Sequence, residues 1–124
     1  MDAVRKRELF QRGIALFNRG EFFTCHEVLE EIWLEESEVD KPFYQGIIQV
    51  AAGFHHFQRG NRTGFDSLLR AGAEKVRQFP PDYHGLDLAA LLVELGPWFE
   101  CLENNAPLEG MRLPSIQWTS KEAG

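Results

Sequence analysis

The stretch Phe43-Tyr44-Gln45-Gly46-Ile47-Ile48-Gln49-Val50-Ala51-Ala52-Gly53-Phe54-His55-His56-Phe57-Gln58 holds no Lys, Arg, Asp or Glu. At about 100° per residue its apolar side chains go all the way round a helix. Ile48 lies on one side, Ile47 and Phe54 lie opposite, and Val50 and Phe57 fall between. A helix that is apolar on every side is a buried one. Crossing a bilayer takes about 20 mostly apolar residues, and this stretch is shorter and more polar than that. It is therefore expected to be the central helix of a small bundle. Its polar groups fall on one line, with Gln45, Gln49 and His56 within about 40° of one another. Buried polar groups need partners, at about 1–3 kcal/mol for each one left unpaired.

Working outward, the flanking segments are helical too. Leu9, Phe10, Gly13, Ile14 and Phe17 repeat at three- and four-residue steps, which predicts a helix over 3–18. Gly20 is its left-handed stop. A second helix is expected over 21–36, then an acidic loop, with Pro42 in the first turn of the central helix. Gly60 ends that helix. Thr63 and Asp66 have the spacing of a capping box for a fourth helix, whose stripe runs from Phe65 to Phe79. A Leu-rich helix is expected over 86–95, broken at Gly96-Pro97, with a short last helix over 98–104. From Pro107 the chain loses its period. A tail that lies on the body through Leu113, Ile116 and Trp118 is expected, with its last residues, 120–124, fraying. The fold class is all-α: about five helices around the central one, as two helical hairpins, a C-terminal helix and an irregular tail. The expected division is a domain over 1–106 and a tail over 107–124.

An internal repeat supports the two hairpins. Phe17-Asn18-Arg19-Gly20 is echoed forty positions later by Phe57-Gln58-Arg59-Gly60. At the same offset Gly13 meets Gly53, Ile14 meets Phe54, Val28 meets Leu68, and Leu29 meets Leu69.

Composition narrows the function classes. The net charge is −6, from 19 acidic and 13 basic residues. That argues against nucleic acid, whose phosphates need a basic face. No N-terminal apolar run suggests a signal peptide or an anchor. Two cysteines are too few for a disulfide scaffold, so a reducing cytoplasmic setting is expected. Three Trp and ten Phe suggest a filled core or a self-association surface, hence a homo-oligomer or a protein partner.

The site candidates lie on helices 2 and 3. His26 and Glu30 are one turn apart, in an apolar stripe with Phe22, Phe23, Leu29 and Trp33. A short connection makes helices 2 and 3 antiparallel neighbours. That sets Glu30 level with Gln49, and His26 level with Ala52, Gly53 and His56. The small Ala52 and Gly53 are expected to let helix 2 approach. One reading is a buried hydrogen-bond network of His26, Glu30, Gln45, Gln49 and His56. A second is a divalent metal, Zn or Fe, on His26, Glu30 and His56, since two imidazoles and a carboxylate suit either ion. A third is acid–base catalysis by Glu30 with His26, for which no nucleophile or oxyanion donor can be placed. Nothing points to an organic cofactor or to a particular small-molecule ligand.

His26, Glu30 and Trp33 in a His-x-x-x-Glu-x-x-Trp pattern are followed by Gln45-Gly46-Ile47-Ile48-Gln49-Val50-Ala51-Ala52, His56 and Arg59-Gly60-Asn61. This set resembles the bacterial and archaeal family known as domain of unknown function 309, over about 17–92. The family's pattern often continues with Arg after the Trp, where this chain has Leu34. The resemblance implies an all-helical fold and supplies no reaction. The favoured expectation is a small interaction module, and the alternative is a metal-dependent enzyme or metal-binding protein.

Overall fold

The computed structural model describes residues 1–119. It contains five α-helices: α1 (Ala3–Asn18), α2 (Phe22–Glu35), α3 (Lys41–Gln58), α4 (Arg62–Val76) and α5 (Leu88–Glu103). A 3-10 turn, Tyr83–Gly85, precedes α5. The described residues carry no strand beyond one isolated bridge, between Leu86 and Trp118. The all-α expectation holds. The chain divides into two compact units, Met1–Phe79 and Pro80–Gly124. Residues 107–119 fall in the second of these units, with α5.

In the first unit α1 packs on α2, α2 on α3, and α3 on α4. Asp2 caps α1 by accepting from the Arg5 N–H at 2.8 Å. The stripe Leu9, Phe10, Gly13, Ile14 and Phe17 is buried, as its spacing requires. Phe rings tie the two hairpins together. Phe22 of α2 stands 5.1 Å from Phe17 and 5.3 Å from Phe54, and Phe54 reaches Phe65 of α4 at 5.0 Å. Each such buried ring contributes about 1.5–3 kcal/mol through area removed from water.

The two hairpin joints share one geometry. The Gly20 N–H bonds the Phe17 carbonyl at 3.0 Å, and the Glu21 N–H bonds the Leu16 carbonyl at 3.0 Å. Forty residues on, Gly60 bonds Phe57 at 3.0 Å and Asn61 bonds His56 at 2.8 Å. Both are Schellman caps, and each needs a left-handed residue. Gly20 and Gly60 supply it at φ 75° and 76°. The expected Thr63 capping box is replaced by Asn61, whose side chain accepts from the Gly64 N–H at 3.0 Å. The Schellman turn delivers Asn61 to the cap position, so Thr63 already lies inside the helix.

α3 departs from its expected burial. Phe43, Tyr44, Ile47, Val50 and Phe54 are buried, but Gln45, Ile48, Gln49, Ala52, His55 and His56 are only half-buried. These six share one side of the helix, which faces outward. The glycines explain the rotation. A Cβ on Gly46 would lie 3.2 Å from the Gly72 carbonyl oxygen, and one on Gly53 would lie 3.2 Å from the Leu69 nitrogen. Gly46 and Gly53 thus seat α4, and the aromatic face takes the core. Gly53 was expected to admit α2 and instead admits α4.

In the second unit α5 is one continuous helix with Pro97 inside it. The expected break is absent. Proline deletes the bond to the residue-93 carbonyl. Val93 is 76% exposed, so water reaches that end of the turn. The segment after α5 returns to the helix start. The Asp87 N–H bonds the Gln117 carbonyl at 2.7 Å, and the Thr119 N–H bonds the Gly85 carbonyl at 2.8 Å. Ile116 is buried, with Leu113 and Trp118 half-buried. The expectation that 120–124 fray lies outside the described residues.

Candidate functional site on helices α2 and α3

The outward side of α3 and the adjoining edge of α2 enclose an open groove of about 130 Å³. Glu30 and Trp33 line it from α2, and Gln45, Ile48 and Gln49 from α3. The antiparallel register predicted from the short loop brings Glu30 and Gln49 to one level. Lys41 lies with its Nζ 4.9 Å from the Trp33 ring centroid, a cation over an indole face. The Trp33 indole N–H is buried and has no acceptor among the described residues.

The expected network does not close, and it is not buried. His26 Nε2 and Glu30 Oε2 stand 3.7 Å apart, beyond hydrogen-bond range, and the Glu30 side chain is 51% exposed. His26 Nδ1 lies 2.9 Å from the Phe23 carbonyl oxygen, so this nitrogen carries the proton and donates. That leaves the Nε2 lone pair toward Glu30 in the neutral ring. The Gln49 amide oxygen accepts from Lys75 Nζ of α4 at 2.9 Å, not from an α2 residue. His56 is taken by the α4 cap. The Asn61 oxygen accepts from Gly64, so its amide nitrogen donates to His56 Nδ1 at 3.0 Å. The physical reason is the rotation of α3 described above. Its polar line points outward between α2 and α4 and does not press against α2.

Of the three residues proposed for a metal, His26 and Glu30 face each other, while His56 is held by Asn61. Among the described residues no group of three His, Cys, Asp or Glu side chains is placed to hold an ion. Beside the groove His26 and His55 flank Phe23, each ring 5.1 Å from it. Burial lowers the His55 pKa, and the charges of Arg59, His56 and His26 push it the same way. The contacts of Lys41, Lys75 and Asn61, and the place of Ile48 in the groove, have no signal in the sequence. Lys41 and Asn61 sit at helix starts, where local spacing specifies a cap but not how far a side chain reaches. Nothing local marks Lys75, which lies 26 positions from Gln49.

Fold and site together define a small all-helical domain of two like hairpins, with a half-open, mainly apolar groove along its second and third helices. The model of the family described as Domain of unknown function (DUF309) matches residues 10–68, so this segment is similar to that family. A protein of Aquifex aeolicus (strain VF5) named "Uncharacterized protein" is 30% identical over 88 residues, 70% of this chain and 26% of that protein. "Uncharacterized protein YpuF" of Bacillus subtilis (strain 168) is 30% identical over 100 residues, 76% of this chain and 56% of that one. The chain thus spans about a quarter and about half of the lengths of these relatives.

Proposed function

We propose that the domain is an interaction module and that the α2–α3 face is its contact surface. The observation that carries this reading is the groove. Trp33 and Ile48 give it an apolar floor, while Glu30, Gln45 and Gln49 supply polar groups at its rim. Phe23, 49% exposed, and Leu34, 64% exposed, extend the apolar surface along α2. Aromatic anchors within a polar rim are the usual make-up of a protein contact. No helix among the described residues is long and apolar enough to cross a membrane. Both thiols, Cys25 and Cys101, are free. That fits a reducing cytoplasm.

The test is site-specific photo-crosslinking in the intact host cell. A photoreactive side chain at Leu34 is expected to give a discrete protein adduct that Ile48→Glu removes. The same probe at Val93, exposed in the other unit, is the control. No adduct at Leu34, or an equal one at Val93, would refute the reading.

The alternative is a divalent-metal site, which one observation favours. The Nδ1 bond to the Phe23 carbonyl presents the His26 Nε2 lone pair on the side of Glu30. A backbone acceptor on one imidazole nitrogen is how metal-bound histidines are commonly oriented. Such a site needs a third ligand, because Asn61 holds His56.

A further inference from the structure

The negative charge of this chain is concentrated on α2, its two caps and the loop that follows. From Glu21 to Asp40, both included, lie eight of the 19 carboxylates and none of the 13 basic residues. Several are neutralised within the chain. Glu21 pairs with Arg19, Glu35 with the N-terminal amine, Glu36 with Lys6, and Glu38 approaches Lys41. Glu27 and Glu31 have no such partner among the described residues, and Glu30 has only His26. These three lie on the outward side of α2. Phe23, Glu27, Glu30 and Leu34 follow one another at steps of four, three and four, so they form one stripe beside the groove.

The second hairpin serves as an internal control. Forty positions on, the same stripe reads Thr63, Ser67, Arg70 and Glu74. It has no large apolar residue, and its charges are internally paired, Arg70 with Asp66 and Glu74 with Arg77. The hairpin architecture therefore does not require exposed apolar groups or unpaired charge at these positions. The α2 stripe has been set differently from its copy.

We infer that this stripe and the adjoining groove dock a basic amphipathic helix of a partner protein. This rests on the interaction-module reading and names the partner's chemistry. Apolar residues at one-turn spacing would cover Phe23 and Leu34 and enter over Trp33 and Ile48, while flanking Lys or Arg face Glu27, Glu30 and Glu31. Phe23 to Leu34 spans about 16 Å along the axis, so about three to four turns of partner helix suffice. A second copy of this chain fits less well. Its α1 is basic on the exposed side, but the large apolar residues exposed there are Met1 and Val4, both in the first turn region. α1 has no exposed apolar stripe to lay in the groove, and the α2 stripe of a second copy would set like charges against Glu27, Glu30 and Glu31.

The probe is a synthetic helical peptide of ~14 residues with Leu at one-turn spacing and Lys or Arg elsewhere, long enough to cover the stripe. Its twin carries Glu in place of every base. Binding to the full chain is read by calorimetry, and its location by amide chemical shifts. The basic peptide is expected to bind, to shift α2 and groove amides, and to weaken as salt is raised. Glu27→Lys with Glu31→Lys should weaken it by ~10-fold or more, as should Leu34→Asp, because each removes one half of the complementarity. Glu74→Lys with Asp66→Lys, the same charge change on α4, should leave affinity within about twofold. Equal binding of the acidic twin at this face would keep the module and remove the charge assignment. Shifts located elsewhere, or no binding by the basic peptide, would overturn the inference. So would a dimer in sedimentation that Leu34→Asp dissociates, since the occupant would then be a second copy.

Discussion

A Cβ placed on Gly13 of α1 would stand 2.5 Å from Cδ2 of Leu29 on α2. Forty residues on, Gly53 also lies against Leu69, but there the ideal Cβ meets backbone, 3.2 Å from the Leu69 nitrogen. The helix pair of each hairpin is thus drawn together at a glycine facing a leucine, and the matching Schellman turns fix the ends. The repeat is one of contacts as well as letters. Where the first hairpin has His26 and Glu30, the second has Asp66 and Arg70 in a direct ion pair.

Glycine contacts differ in what they can yield, and this gives a stability prediction. On Gly72 a Cβ would lie 2.6 Å from the Gly46 carbonyl oxygen and 2.8 Å from the Val50 nitrogen, both backbone atoms. Gly72→Ala must push α3 and α4 apart, at a cost of about 1–3 kcal/mol or more. On Gly13 the obstructing atom is the end of the flexible Leu29 side chain. A new rotamer and the better helix propensity of alanine offset part of the clash, so Gly13→Ala should cost at least about 1 kcal/mol less than Gly72→Ala. Urea unfolding of both variants decides it. Equal losses would mean that α3 and α4 can separate freely at this contact.

Much of this was legible from periodicity and punctuation. The stripe on α1, the stop at Gly20 and the two-hairpin repeat all follow from spacing. The rotation of α3 was not legible. A run without charges, such as 43–58, has no amphipathic phase to say which side faces which neighbour. The deciding facts are backbone approaches at Gly46 and Gly53, and glycine carries no sign of its partner. For that reason spacing brings Glu30, Gln45 and Gln49 to one groove but not into one network, and it does not reveal the bonds of Gln49 to Lys75 and His56 to Asn61. At Gly96-Pro97 the opposite error arose. Local rules demand a break, but an exposed turn tolerates the missing bond.

Cys25 is fully buried, and burial pushes its thiol pKa up to about 12 against a backbone hydrogen bond with Phe17 that works the other way. The thiolate is the reactive form. Native Cys25 is therefore expected to resist iodoacetamide near neutral pH, while half-buried Cys101 reacts first. Mass spectrometry after brief alkylation would show label on residue 101 alone. Early labelling of Cys25 would mean that α2 opens readily from α1.

His55 titrates below the usual histidine value of about 6.5, chiefly because burial disfavours its charged form. In the window between its lowered folded value and the usual one, the unfolded chain binds more protons. Stability must therefore rise with pH through that window and gain nothing further from this group above it. His55→Gln should flatten the rise. An NMR titration that puts the His55 midpoint above the usual value would reverse the sign and remove the prediction.

Glu30 separates the two readings of the site. Its carboxylate is half exposed and stands 3.7 Å from His26 Nε2, so water screens the pair. Exposed pairs of this kind contribute about 0–1 kcal/mol. Glu30→Gln preserves the shape and one acceptor oxygen, so its cost should stay below about 1 kcal/mol in urea unfolding. A bound metal would change the pattern. Zn²⁺ added to the parent would stabilise it by mass action through Glu30 and the His26 lone pair, and the variant would gain much less. For an interaction module the two proteins respond alike to Zn²⁺ and Fe²⁺. A metal-dependent gap of more than about 1 kcal/mol between parent and variant would hand the groove to the metal reading. A metal-independent loss near 3 kcal/mol would instead mean that Glu30 is held in a closed network in solution.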